Sequence, residues 1–278
     1  MCHNCGTSMS FVKFLKVEDP HLYKEYLLEK YSNQNTEPKI DITEFVTKPS
    51  FKLVPKDINL PTIQCLSDEH PAKQYLINRH IPKKALSNIY YASDYKEFIQ
   101  ELVPENTKQL YKEERIVIPF YDKDGNLLGV QGRAIASSNI KYITIKTNED
   151  NPKIFGWNTV DLSKRIYVVE GPIDSLFIHN AVATMDANLL VASRIIGLDN
   201  DYTFVYDNEP RNKQIVSNMN KAITQGKDIC VWPDTIKAKD INEMILSGMS
   251  AAAIQHIIDT NTFSGLQATM KLNIWSKV

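Results

Sequence analysis

No apolar run in this 278-residue chain approaches the ~20 residues that span a bilayer, so no membrane partner is expected. The opening MCHNCGTSMSF has neither the basic flank nor the apolar stretch of a signal peptide. Cysteine is scarce. Cys2, Cys5, Cys65 and Cys230 form no regular disulfide framework, which fits a reducing cytoplasm. Neither sign of charge is in surplus: 32 Lys and Arg against 33 Asp and Glu leave a net charge of -1. That balance excludes a protein that grips nucleic acid by overall charge alone. Internal repeats and low-complexity blocks are also missing. What remains is an ordinary globular composition, 43% hydrophobic and 23% charged, long enough for one large or two small domains.

The charge is unevenly spread. Residues 129–169 carry six bases against three acids, and residues 170–250 carry eleven acids against seven bases. Two solvated faces would account for this, and so would a polyanion track beside a cation site.

The spacing in residues 17–31 predicts an amphipathic helix, followed by a polar linker over 32–39. Residues 70–93 read as two helices, with Pro82 opening the second. RIVIPFYDKDGNLLGVQGRAI (115–135) predicts a hairpin turning at Asp124-Gly125, and IKYITIKT (140–147) a further strand. From Arg165 the period changes. Strands at 166–169, 181–185, 202–206 and 228–232 alternate with helices near 174–180, 212–226 and 240–247. Such alternation predicts βαβ units and a mainly parallel sheet, an α/β fold preceded by a mixed α+β region.

Three of these strands run into acids. Glu170 follows the first; Asp207 and Glu209 follow YTFVY; Asp234 and Asp240 follow DICVW. Ligands of open α/β sheets sit outside the carboxyl ends of the strands. Acids crowded there repel one another unless a divalent cation lies among them, and Mg²⁺ takes hard oxygen ligands while keeping room for a substrate phosphate. Gly171 would let backbone and phosphate approach closely. The plainer reading of any single acid is a helix cap or solvated surface.

Here the sequence resembles a family. VVEGPIDSLF is similar to the first motif of a TOPRIM domain, VYDNEP to its second, usually Asp-x-Asp, and KDINEMI to the acidic segment downstream. The block from Arg115 through IKYITIK to KIFGW resembles the polymerase core of DnaG-type primases, in particular those of T-even-type phages. AKQYLINRHIPKKAL is similar to an earlier helical signature of these enzymes, and CHNCG to the second half of their zinc ribbon.

The resemblance implies a ribbon remnant and helix over 1–31, a template-binding primase-core subdomain over 40–164, a Rossmann-like TOPRIM domain over 165–248 and a helical tail over 249–278. It implies synthesis of short RNA primers on a single-stranded DNA template from ribonucleoside triphosphates, with Mg²⁺ or Mn²⁺. Glu170 and Asp207 would be the principal metal acids. Glu209 and Asp240 would hold or orient a second ion, though Glu209 stands where the family has aspartate. Asp174 and Gly171 would support the site. Arg133 and Lys141 match basic positions for template and nucleotide, Lys153 more loosely and Arg79 more loosely still; the plain alternative for each is solvated surface. Cys2 and Cys5 form one hook of an incomplete zinc site, and a free thiol pair is the alternative. The chain is expected to start after the other hook, so Zn²⁺ enters only if the missing half is supplied. The tail would either contact the replicative helicase, as in the family, or pack back on the sheet. A TOPRIM nuclease and a non-catalytic, helicase-associated DNA-binding subunit are the rival readings.

Overall fold

Residues Arg115–Tyr121 (β2) alternate sides, and the alternation decides what each face meets. Ile116 and Ile118 enter one hydrophobic cluster and Val117 another. The structure is a computed structural model. It describes residues 58–278, except 107, 136, 137 and 139, together with Leu22, Tyr23 and Tyr26. The last three are helical and fall within the helix expected over 17–31. The linker 32–39, Cys2 and Cys5 lie outside the described residues. The chain divides into two units, Met1–Lys52 and Leu53–Val278, and the second contains two sheets.

Its first sheet is antiparallel, in the order β1 (Tyr90–Ala92), β2, β3 (Leu127–Ala134), β4 (Tyr142–Lys146). The β2–β3 hairpin turns at Gly125, whose φ of 83° suits glycine. Helix α1 (Pro71–Asn78) starts at His70, whose imidazole accepts the amide of Ala72. The second helix expected within 70–93 is instead a 3₁₀ turn, Lys83–Ser87, followed by β1. Pro82 opens that turn, and Ile89 is drawn to pair with Ile63 before a longer helix forms. Helix α2 (Tyr95–Leu102), not foreseen from the sequence, is capped by Asp94 and covers the outer face of the sheet with Tyr95, Phe98 and Ile99. Gly132 is required there. A Cβ would come within 2.4 Å of the Tyr95 ring.

The second sheet runs β6 (Ala181–Ala183), β5 (Ile166–Val169), β7 (Tyr202–Phe204), β8 (Asp228–Cys230), β9 (Thr262–Phe263). All neighbours are parallel except β8 and β9. The short α3 (Pro172–Ser175) follows β5, α4 (Leu190–Ile196) precedes β7, and α5 (Lys213–Thr224) joins β7 to β8. Then come α6 (Ile241–Leu246), α7 (Ala251–Thr260) and α8 (Gly265–Trp275).

Ile166 and Val168 face a cluster with Ile215 and Met219 of α5 and with Ala268, Leu272 and Trp275 of α8. Val169 faces the opposite cluster, which also holds Ile116 and Ile118 of the first sheet. One apolar core therefore joins the two sheets. The tail does pack back, and its other side leaves Leu266, Met270 and Ile274 exposed at helical spacing.

Candidate active site

In the parallel sheet, β6 lies on one side of β5 and β7 on the other. Connections that diverge from one strand leave a crevice at its carboxyl end. Glu170 comes directly after β5 and Asp207 three residues after β7. Asp240 caps α6, its carboxylate accepting the Glu243 amide at 2.7 Å. A cleft of about 480 Å³ opens at this point. One wall carries Glu170, Gly171, Asp174, Asp207 and Asp240; the facing wall, from β3, β4 and the loop before β4, carries Gln131, Lys141, Tyr142 and Thr144.

The acids divide into two states. Burial raises the pKa of Glu170, and the charge of Glu209 adds to the rise, while the backbone amide of Asp207 opposes it. Asp207 is pushed up to about 8, first by burial, then by the charges of Glu170, Asp174 and Asp240. Asp174 is raised to about 7, by burial and then by Asp240, against the Asn242 amide that donates to it at 2.9 Å. Glu209 goes the other way. Lys239 at 2.8 Å and the Asn212 amide at 2.7 Å hold its carboxyl below the usual range. It lines a neighbouring pocket of about 720 Å³ rather than the cleft.

At Gly171 the structure shows a requirement for space. Its φ of -100° is open to any residue, but a Cβ would sit 2.6 Å from the Asp174 carboxylate. Between the two acids of the second motif, Asn208 is a tie. Its side-chain amide donates to the carbonyls of Ile236 and Ala238, its backbone amide to Lys239, and its side-chain carbonyl accepts from Trp275. The loop after β7 is thereby fastened to the loop after β8 and to α8.

Of the expected basic residues, Lys141 reaches the cleft. Its pKa is lowered, chiefly by the neighbouring Arg133. Arg133 is only 4% exposed, its guanidinium stacked on the rings of Tyr75 (4.8 Å) and Tyr142 (4.6 Å) and donating to the Tyr142 hydroxyl. Lys153 stands exposed between β4 and β5, away from the cleft lining.

Sequence reasoning missed several residues. Tyr142, on the strand expected over 140–147, is 41% exposed. Asp186 lines the cleft and lies just beyond β6, so the rule that found Glu170 would have found it. Lys239 also lines the cleft, one residue before Asp240. Fully buried Arg115 pairs with Glu113 at 2.6 Å and donates to the carbonyls of Gly132 and Ile140, binding the loop that carries Lys141 to β3. Arg79 bonds to Asn242, which holds Asp174, and stacks on Tyr75. No local pattern marks Arg115, whereas Arg79 is a loose match to a basic position of the family.

Among the described residues, no three His, Cys, Asp or Glu side chains gather closely enough to hold a metal unaided. Two carboxylates suffice for Mg²⁺ when water and substrate phosphate complete its octahedron. Glu170 and Asp207 fit that description. Oε1 of Glu170 is buried with no hydrogen-bond partner among the described residues, and Asp207 is raised by burial and then by its acidic neighbours, with only Lys239 opposing.

No family model matches the chain. The DNA primase of Enterobacteria phage T4 is 30% identical over 281 aligned positions, covering all of this chain and 81% of that protein. Among solved structures, the zinc-binding and RNA polymerase domains of Aquifex aeolicus primase match 94% of this chain and 73% of theirs, at 19% identity and a TM-score of 0.54. The RNA polymerase domain of Mycobacterium tuberculosis DnaG, in complex with a double-stranded DNA oligomer with an overhang, matches 77% of this chain and 78% of its own, at 18% identity and 0.55. A DnaG catalytic domain bound to single-stranded DNA matches 72% and 74%, at 15% identity and 0.53. At these identities the solved structures establish the shared fold.

Proposed function

The chain belongs to the DNA primases, the family of the phage T4 enzyme, and from that premise we propose how its residues make a primer. The activity is primer synthesis in DNA replication. We propose that ribonucleoside triphosphates are joined into short RNA on a single-stranded DNA template, at the cleft between the two sheets. Glu170 and Asp207 would hold Mg²⁺ or Mn²⁺. The chemistry such an ion would supply is activation of the attacking 3′-hydroxyl and neutralisation of charge at the α-phosphate and leaving pyrophosphate. Asp240 and Asp174 set the surrounding charge, Gly171 leaves space for Asp174, and Glu209 with Lys239 fixes the loop after β7.

On the facing wall, Lys141 would meet template or nucleotide phosphate. Arg133 lies beneath Tyr142 and would act by holding that ring, or reach phosphate only once the ring is displaced. Lys153 would touch template away from the cleft. The exposed stripe of Leu266, Met270 and Ile274 supports the replicative helicase as a partner. Zn²⁺ enters only if further ligands join Cys2 and Cys5. The site of action is the cytoplasm, that of the host if the chain is phage-encoded; no helix among the described residues is long and apolar enough to cross a membrane.

One observation carries the reading: two carboxyls raised by burial, from the ends of adjacent parallel strands, line one cleft. The test is incubation with single-stranded DNA, labelled ribonucleotides and Mg²⁺ or Mn²⁺. Short RNA is expected from the unaltered protein. Glu170→Gln should reduce it about a hundredfold or more, since several kcal/mol of charge stabilisation depend on the ion. DNA affinity should stay within a few-fold. Undiminished synthesis would remove Glu170 from the mechanism.

A further inference from the structure

The two walls of the cleft differ in kind. Opposite the acids, β3 and β4 offer an amide (Gln131), a hydroxyl (Thr144) and an aromatic ring (Tyr142), with Lys141 as the cation. Neutral hydrogen-bonding groups beside a ring suit a nucleoside better than a phosphate.

Gln131 is the unusual member. It is 6% exposed, yet its Oε1 is buried with no partner among the described residues. The other end of the amide donates to Thr144, its register partner on β4, at 3.3 Å. The strand beneath is closely packed. Gly132 packs against the Tyr95 ring, and a Cβ on Gly129 would lie 2.4 Å from the Ile145 carbonyl. A buried amide that lines the cleft and leaves one end unpaired asks for a specific partner. A hydroxyl answers whichever way the amide is turned, because it both donates and accepts.

We propose that Gln131, held by Thr144, hydrogen-bonds the ribose 2′-hydroxyl of the nucleotide in the cleft and so selects ribonucleotides over deoxyribonucleotides. The inference rests on the primase reading and adds the residue that reads the sugar. A site built to pair a hydroxyl rejects the analogue that lacks it, because the protein group is then left buried and unpaired.

The experiment measures use of each ribonucleoside triphosphate against its 2′-deoxy counterpart in primer extension. It also measures binding of ATP against dATP, with Ca²⁺ replacing Mg²⁺ so that no turnover is required. Gln131→Leu should lower the ribo-to-deoxy ratio about tenfold or more in both measurements, the equivalent of one lost hydrogen bond. Use of the deoxynucleotide should remain within about threefold, because it never had that bond. Thr144→Val, which removes only the support, should lower the ratio less and covers the case that Gln131→Leu fails to fold. A ratio unchanged in both variants would overturn the proposal, as would equal binding of ATP and dATP by the unaltered protein. Absence of any primer from the unaltered protein would count against the primase reading instead, and the binding ratio would still decide the role of Gln131.

Discussion

The antiparallel and parallel sheets share a core but solve opposite problems at the cleft. The antiparallel wall ties its arginines down within the chain: Arg115 is saturated by Glu113 and backbone carbonyls, and Arg133 is stacked between Tyr75 and Tyr142, while the Gln131 amide keeps one end unpaired. The parallel wall keeps its acids short of cations. Glu170, Asp174 and Asp207 are all raised, while the one acid with a close lysine, Glu209, is lowered. One wall partners its arginines within the chain, and the other leaves its acids for an ion. That contrast separates the residues that hold shape from those that wait for chemistry.

The largest effect that tests this contrast is expected at Asp207. Asp207→Asn should cut primer synthesis about a hundredfold or more, since it removes an ion's ligand. The same change should raise the melting temperature of the ion-free protein at pH 8, because it abolishes a buried charge that repels its neighbours. A lower melting temperature would mean that Asp207 is paired rather than waiting.

A smaller effect is expected from pH. The folded pKa of Asp207, about 8, lies above its unfolded value near 3.8. Between those values the folded state holds the extra proton. Its stabilising contribution is therefore full below about pH 4 and fades as pH rises through 8. Glu170 and Asp174 shift in the same direction. Without divalent ions, melting temperature should fall from pH 5.5 to 8.5 by more than it does in Asp207→Asn. Mn²⁺ should restore it at pH 8.5 and do little at pH 5.5. Equal Mn²⁺ stabilisation at both values would place the ion elsewhere.

The smallest effect belongs to the other wall. Lys141→Ala should weaken single-stranded DNA binding a few-fold and reduce the slope of log affinity against log salt by about one, if the ammonium meets one phosphate. Fluorescence anisotropy across a salt series measures both, and an unchanged slope would leave Lys141 without a phosphate.

Much of the parallel wall is legible in the sequence. Buried strands of three or four residues, each running into an acid, leave a local signature, and β5, β7 and β8 all carry it. Asp186 carries it too, after β6, and is the one such acid that the motif pattern does not single out. The antiparallel wall is less legible. Tyr75 and Arg133 stand 58 positions apart, and nothing near either announces the stack; Arg133 reads as a cation open to the template and is buried. The helix expected after Pro82 is a 3₁₀ turn and a strand because pairing with β2 outweighs local propensity. Glu209 occupies the family's position for an acid, but its longer side chain meets Lys239.

The indole of Trp275 donates to the residue lying between Asp207 and Glu209. The final helix is therefore a brace for the reaction centre as well as a cover for the sheet. Anything that draws that helix away from α5 withdraws a support from the acids some 68 positions earlier in the chain, so the last turn of the protein and its chemistry answer to the same mechanical load.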